Sequence, residues 1–330
     1  MSAMLCVQLR YDRRAAWLHR LCVLATVTAL LPIAVGALVT TEKAGMAFAD
    51  WPTSDGYSLW SYPWLRSAGD KFVEHGHRIA GALAGCVVLA LALAAWSWER
   101  RRWVRLSVYG LLGAVVVQGV IGGLRVRLNA QAVAMLHALF ANVVLTGCLL
   151  VSLATSRWWC VEGGPVRQGV GCTISQMVAA VALAVGVAVQ YGLGSVLRHF
   201  GGFLHEHVVL GLGVFALGQG VAWKCLRSGG AAWVRRFGFV LALLLGVQVV
   251  LGGATYVSRF GLPALGWVAV IGSVSSRLFP TLHTCVGIVL VATVVNLVIC
   301  LWASSREGMS WGTLRDTYGD VGATASGRVP

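Results

Sequence analysis

Val117-Gln118-Gly119-Val120-Ile121-Gly122-Gly123 and Val247-Gln248-Val249-Val250-Leu251-Gly252-Gly253 are two versions of one stretch, 130 positions apart. Each lies inside an apolar run and ends on paired glycines. The same displacement carries His77 to His207 and Gly81 to Gly211. A shift shared by separate segments is hard to attribute to composition, so the chain reads as an internal duplication. Ile33 to Val39 resembles Tyr191 to Leu197 in the same way. His283 follows His137 by 146 positions, because the last loop, Ser258 to Arg277, is longer.

The repeated unit is a set of membrane helices. Of the 330 residues, 58% are hydrophobic and 12% charged, and mean hydropathy is +0.77. Eight runs reach the roughly 20 residues that a crossing needs, near 21–40, 73–96, 106–124, 132–154, 174–195, 204–223, 237–257 and 279–302. The fold class is therefore an all-α polytopic membrane protein with eight transmembrane helices, four in each half. Four is even, so both halves enter from the same side and the repeats are parallel. The boundaries follow: 1–155 for the first half, 156–173 for a cytoplasmic linker, 174–303 for the second half and 304–330 for a cytoplasmic tail.

A formal charge of +14 does not point to nucleic acid, because the basic residues fall in short clusters between the apolar runs. Seventeen of the 26 Lys and Arg lie on one side if both termini are cytoplasmic, as the positive-inside rule expects. The long loop after the first run, with Asp50-Trp51-Pro52, Tyr57, Trp60, Tyr62 and Trp64, then lies outside. The first run is too long for a signal-peptide core and reads as a retained helix. None of the nine cysteines falls in a predicted outer loop, so no structural disulfide is expected.

Chemistry enters with Glu74-His75-Gly76-His77-Arg78. His77 precedes Gly81 and Gly85 at i+4 and i+8, so an imidazole stands above two bare backbone patches, with Glu74 on the same face. His137 with Ala141, His207 with Gly211 and His283 with Gly287 repeat the device. Two imidazoles per half suit two bis-histidine haem sites near the outer surface, whereas structural zinc wants four protein ligands. His75 and His205 are the runner-up ligands, each pointing off its helix's glycine face. His19 belongs to the cytoplasmic end and His199 to an outer turn.

Glu74 has two readings: a carboxylate serving chemistry, or a charge solvated or paired with Arg78. Its counterpart 130 positions later is Leu204, so only the first half offers an acid there. The halves then divide the work, with chemistry in the first and electron storage or transfer in the second. Gln118 and Gln248 read as interhelical hydrogen-bonding groups. Arg78, Arg125, Arg127, Arg198 and Arg259 sit at outer helix ends, suited to haem propionates or to ordinary snorkelling.

Taken together, these motifs resemble the haem A synthases, membrane enzymes of cytochrome oxidase assembly. The resemblance rests on Ala44-Gly45-Met46 leading to Asp50-Trp51-Pro52 and Gly56, on Glu74 to Arg78, and on Gln190 through Leu193-Gly194 to Arg198-His199. It implies two pseudo-symmetric four-helix bundles and oxidation of the C8 methyl group of haem O to a formyl group, giving haem A. It further implies that His77, His137 and Arg78 hold the substrate haem, that His207 and His283 hold haem b, and that Glu74 serves catalysis. The implied setting is a bacterial inner membrane. Haem O would come from haem O synthase, an electron donor would be needed, and assembly factors or a homo-oligomer would be the protein partners. Two departures stand out. Phe48 and Ser54 occupy places where many bacterial relatives have a cysteine pair, and Val208 and Thr284 replace the arginines that usually follow the second-half histidines. The rival readings are a two-haem cytochrome b-type electron carrier, which needs no role for Glu74, and a haem transporter.

Overall fold

The computed structural model describes residues 12–161, 163–167, 173–228 and 231–318, with side chains through 305. Cys6, Arg10, Cys172, Arg328, residues 162 and 168–172 of the predicted linker and the end of the predicted tail lie outside the described residues. Among the described residues, eight helices are long and apolar enough to cross a membrane. They are α1 (Arg13–Thr41), α2 (Gly69–Trp98), α3 (Arg102–Leu128), α4 (Gln131–Thr155), α5 (Ile174–Phe200), α6 (Leu204–Arg227), α7 (Ala232–Phe260) and α8 (Val274–Tyr318). The chain is thus an all-α polytopic membrane protein. Backbone groups in hydrocarbon must be satisfied within their own segment, which leaves helices as the answer for such runs.

Every predicted run is present, and most are longer than hydropathy suggested. The thirty residues of α2, at about 1.5 Å each, reach through both headgroup regions of a bilayer about 40–45 Å thick. The extra turns are polar and were invisible to a count of apolar residues. Local chemistry sets several ends. The Asp12 side chain accepts from Ala15 N at the start of α1, and Thr173 with Gln176 forms a capping box at α5. Asn129, at φ 46°, turns α3 into α4 through a two-residue connection.

Each set of four helices closes on itself: α1 packs on α2, α2 on α3, α3 on α4 and α4 on α1. In the same way α5 packs on α6, α6 on α7, α7 on α8 and α8 on α5. The sets meet where α8 touches α1 and α4, and where α4 touches α5. In α8, 61% of the most apolar window is buried, against 17–33% in the other seven, which makes it the central helix. Its Ile288 and Ala292 join the core of the first set, while Leu290, Val291, Val294 and Leu297 join that of the second.

Polar groups reinforce this junction. Asn296, fully buried on α8, donates to Ala292 O at 2.8 Å and to Thr146 O of α4 at 3.3 Å. Arg198 of α5 donates to Thr41 Oγ1 (2.7 Å) and Ala37 O of α1, and to Thr284 Oγ1 (2.7 Å) and Pro280 O (3.2 Å) of α8. One guanidinium therefore ties three helices together at the end that carries the 42–68 loop.

Candidate functional site

The four singled-out imidazoles meet in two pairs. His77 of α2 faces His137 of α4 with ring centroids 6.1 Å apart and planes at 85°. His207 of α6 faces His283 of α8 at 6.2 Å and 83°. A metal bonded to two imidazole nitrogens at roughly 2 Å each places the ring centroids on the order of 6 Å apart. Both pairs meet that spacing. The spacing fits a bis-histidine haem.

Each ring is seated on a glycine of the preceding helix. A methyl group on Gly36 would stand 2.7 Å from His77 Cε1; on Gly122, 2.9 Å from His137 Cε1. On Gly194 it would stand 2.9 Å from His207 Cε1, and on Gly252, 3.2 Å from His283 Cε1. Only a bare backbone lets the imidazole in. The backbone acceptor facing each ring belongs to the residue one turn before the seat: Pro32, Gln118, Gln190 and Gln248. An imidazole oriented by a carbonyl on one nitrogen presents the other to a metal.

The small residues at i+4 have a different use from the flat floor that the sequence suggested. Gly211 makes room for the Gln190 amide and Gly287 for that of Gln248. Beside Gly81 nothing lies within 4 Å, so the floor reading fits that position.

Around the first pair, the motif 74–78 clasps the loop. Glu74 is 2% exposed; its Oε2 accepts from Ala47 N (2.7 Å) and Phe48 N (3.3 Å), and its Oε1 from Arg78 Nη2 (2.8 Å). Arg78 Nη1 donates to Asp50 O (3.0 Å) and Thr53 O (2.6 Å). His75 is fully buried, with Nδ1 3.0 Å from Ser54 Oγ and Nε2 3.1 Å from Leu59 O, and packs on Phe48 and Tyr62. Both its nitrogens are engaged, which removes it from the ligand candidates. His205 is exposed. Phe48 and Ser54, the two departures in this loop, are both buried against His75 and close the loop by packing and hydrogen bonding.

The loop reaches the first pair from above. Trp51 lies so close to Gly123 that a methyl there would be 2.5 Å from its Cδ2, one residue from the seat of His137. Asp50 anchors the turn by accepting from Asp55 N (3.0 Å) and Gly56 N (2.8 Å). Its slight burial pushes the carboxyl up, but bonds from the Thr53 side chain and from the Gly56 and Asp55 N–H groups outweigh this and hold it at about 2.

Of the arginines, Arg125 packs on Gly45, Arg127 and Arg259 are exposed, and Arg198 forms the junction described above. Its partner Thr284 is one of the positions where the resemblance expects arginine, so a guanidinium arrives there from another helix. The sequence reading missed the four glycine seats and the shared role of Gln190. Their signal was visible: Gln118/Gly122, Gln190/Gly194 and Gln248/Gly252 share one spacing, and Pro32/Gly36 is the exception.

No family model matches the chain. Four curated proteins are similar to it, all named Heme A synthase. That of Symbiobacterium thermophilum is 31% identical over 191 residues, covering 53% of this chain and 57% of the relative. That of Halalkalibacterium halodurans is 31% identical over 137 residues, covering 40% and 44%, and that of Alkalihalophilus pseudofirmus is 27% identical over 136, also covering 40% and 44%. The chain spans about half the length of the curated relatives it matches. With the eight apolar helices, these similarities support a multi-pass bacterial membrane protein.

Proposed function

We propose that this chain is a haem A synthase, an oxidoreductase that converts the C8 methyl group of haem O to a formyl group. The observation that carries the reading is the pair of imidazole couples at 6.1 and 6.2 Å, each ring seated on glycine. His77 and His137, in residues 1–155, would hold the substrate haem. His207 and His283, in residues 174–303, would hold haem b as the redox cofactor. When bound, haem b supplies one-electron chemistry; what remains is done by this chain's own side chains.

Those side chains bind, exclude water and manage charge. The four imidazoles would hold the haem irons. Trp51 and the clasped loop cover the first pair and keep solvent out. Converting a methyl group to a formyl group adds one oxygen atom and removes hydrogen as electrons and protons, so a carboxylate near the substrate is useful. Glu74 is that carboxylate, kept in place by two N–H groups and Arg78. In this reading Arg78 helps the substrate site by holding Glu74 and the loop. The site end faces outward from a bacterial inner membrane, with both termini cytoplasmic; 156–173 joins the two pseudo-symmetric bundles and 304–330 follows them.

A second reading is favoured by one observation. The Glu74 oxygens are already engaged by the loop and Arg78, as a two-haem cytochrome b-type carrier would allow. Chromatography of pigments from cells making this chain and supplied with haem O separates the two. Haem O, a hydroxylated intermediate and haem A are expected beside haem b. Haem b alone in both sites would overturn the synthase and leave the carrier.

A further inference from the structure

Three of the four imidazoles are attended by a side-chain amide, and one is not. Gln118 Nε2 donates to His137 O at 3.0 Å and lies 3.5 Å from its Nε2. Gln190 Nε2 donates to His207 O at 2.8 Å and lies 3.1 Å from its Nδ1. Gln248 Nε2 lies 3.5 Å from His283 Nε2. The matching place in α1, one turn before the Gly36 seat, is Pro32, which carries no side-chain donor.

The histidine-bearing helices register the same difference. A methyl on Gly211 would meet Gln190 Nε2 at 2.9 Å, and one on Gly287 would meet Gln248 Nε2 at 3.2 Å. Those glycines admit the amide. Gly81, one turn below His77, has open space instead. Proline also has no N–H to give to the α1 ladder, so the helix behind His77 is short of one rung.

We propose that Gln118, Gln190 and Gln248 are positioning residues that pin three imidazoles in place, and that Pro32 leaves His77 as the exchangeable ligand through which the first site takes up and gives up its haem. The inference rests on the proposed function in treating the imidazoles as axial ligands, and goes beyond it in giving the four unequal duties. Where the amide bonds the carbonyl of the ligand residue, as Gln118 does on His137 and Gln190 on His207, it fixes the distance between the two helices, and Gln248 stands against the His283 ring itself. Groups that orient metal ligands in this way are worth about 10–100-fold in affinity. His77 has its seat but lacks that brace, and the space beside Gly81 lets the ring turn. A site that must release product benefits from one such ligand, and a permanent cofactor site does not.

Haem loss from the full chain tests this. The purified, haem-loaded protein in detergent is mixed with excess apomyoglobin, and transfer is followed in the Soret band. Two phases are expected, the faster one from the first site, identified because it survives in His207→Ala. Pro32→Gln should slow the fast phase on the order of tenfold and shift the first site's low-spin electron paramagnetic resonance signal. Pro32→Ala, which removes the ring without adding an amide, should do neither. Gln190→Leu should accelerate the slow phase by a similar factor. Equal slowing by Pro32→Ala and Pro32→Gln, or no change of either phase in Pro32→Gln and Gln190→Leu, would overturn the assignment. A purified chain that holds no haem overturns the proposed function as well; two haems lost at one rate overturn this inference alone.

Discussion

The two histidine pairs have nearly the same internal geometry and quite different surroundings. Ring separations of 6.1 and 6.2 Å and plane angles of 85° and 83° match closely. Outside the rings, the first pair lies beneath the 42–68 loop, which Glu74, His75 and Arg78 fasten from below. The second has an amide behind each imidazole, and Arg198 bridging to α1 and α8 nearby. Ring geometry is set by a short-range device, glycine against imidazole, that is copied four times. The layer beyond it is free to differ, and it is there that an exchanging site and a permanent one would be told apart.

The largest effect should come from removing a second-pair ligand. His207→Ala or His283→Ala should abolish most of the low-spin absorbance of haem b, while His77→Ala leaves that component in place. Purified protein and a reduced-minus-oxidised spectrum check this, and a normal low-spin spectrum in both second-pair variants would break the comparison at its root.

Next comes the acid found in the first half only. Glu74→Gln should lower haem A formation by about 10²–10⁴-fold, the usual worth of general acid–base help, with the haem b spectrum retained. Leu204→Ala should leave product near normal. Because Glu74 also neutralises a buried Arg78, the same variant should lose stability, by about 3–5 kcal/mol if the pair behaves as buried pairs do. Thermal unfolding measured alongside turnover sharpens the result: loss of stability with normal haem A would make Glu74 a loop fastener only.

A smaller effect is expected at the seats. Gly194→Ala puts a methyl 2.9 Å from His207 Cε1, and overpacking of this kind costs about 1–3 kcal/mol. It should shift the second site's low-spin signal, whereas Gly213→Ala, on α6 with nothing within 4 Å, should not. The least effect concerns acid. Asp50 titrates in the folded protein at about 2, below its ordinary value of 3.8. Its contribution to the loop is therefore complete above about pH 4 and lost as pH falls toward 2. Protease sensitivity of the loop should be flat from neutrality down to about pH 4 and rise below it, and Asp50→Asn should flatten that rise.

Much of this was legible in the sequence because it depends on length and period. Eight apolar runs specify eight helices, since hydrocarbon leaves the backbone no other option. The shared displacement of His77 and His207, with His137 and His283 trailing, anticipated which imidazoles meet. What remained hidden depends on contacts between distant segments. Nothing local says that His75 will be held by Ser54 and Leu59, or that Arg198 will arrive at Thr284. The glycines at i+4 are plain in the sequence, but a bare backbone announces an approach without saying what approaches.

Arg198 also bears on how the chain is made. Its partners are Ala37 and Thr41 in the first helix and Pro280 and Thr284 in the last. As helices leave the ribosome in order, α1 reaches the bilayer long before α5 supplies the guanidinium, and the cluster closes only when α8 is inserted. The newborn α1 must therefore wait, its upper end unlatched, until α8 is in place. Without α8 the Arg198 guanidinium would keep only its α1 partners, Ala37 and Thr41.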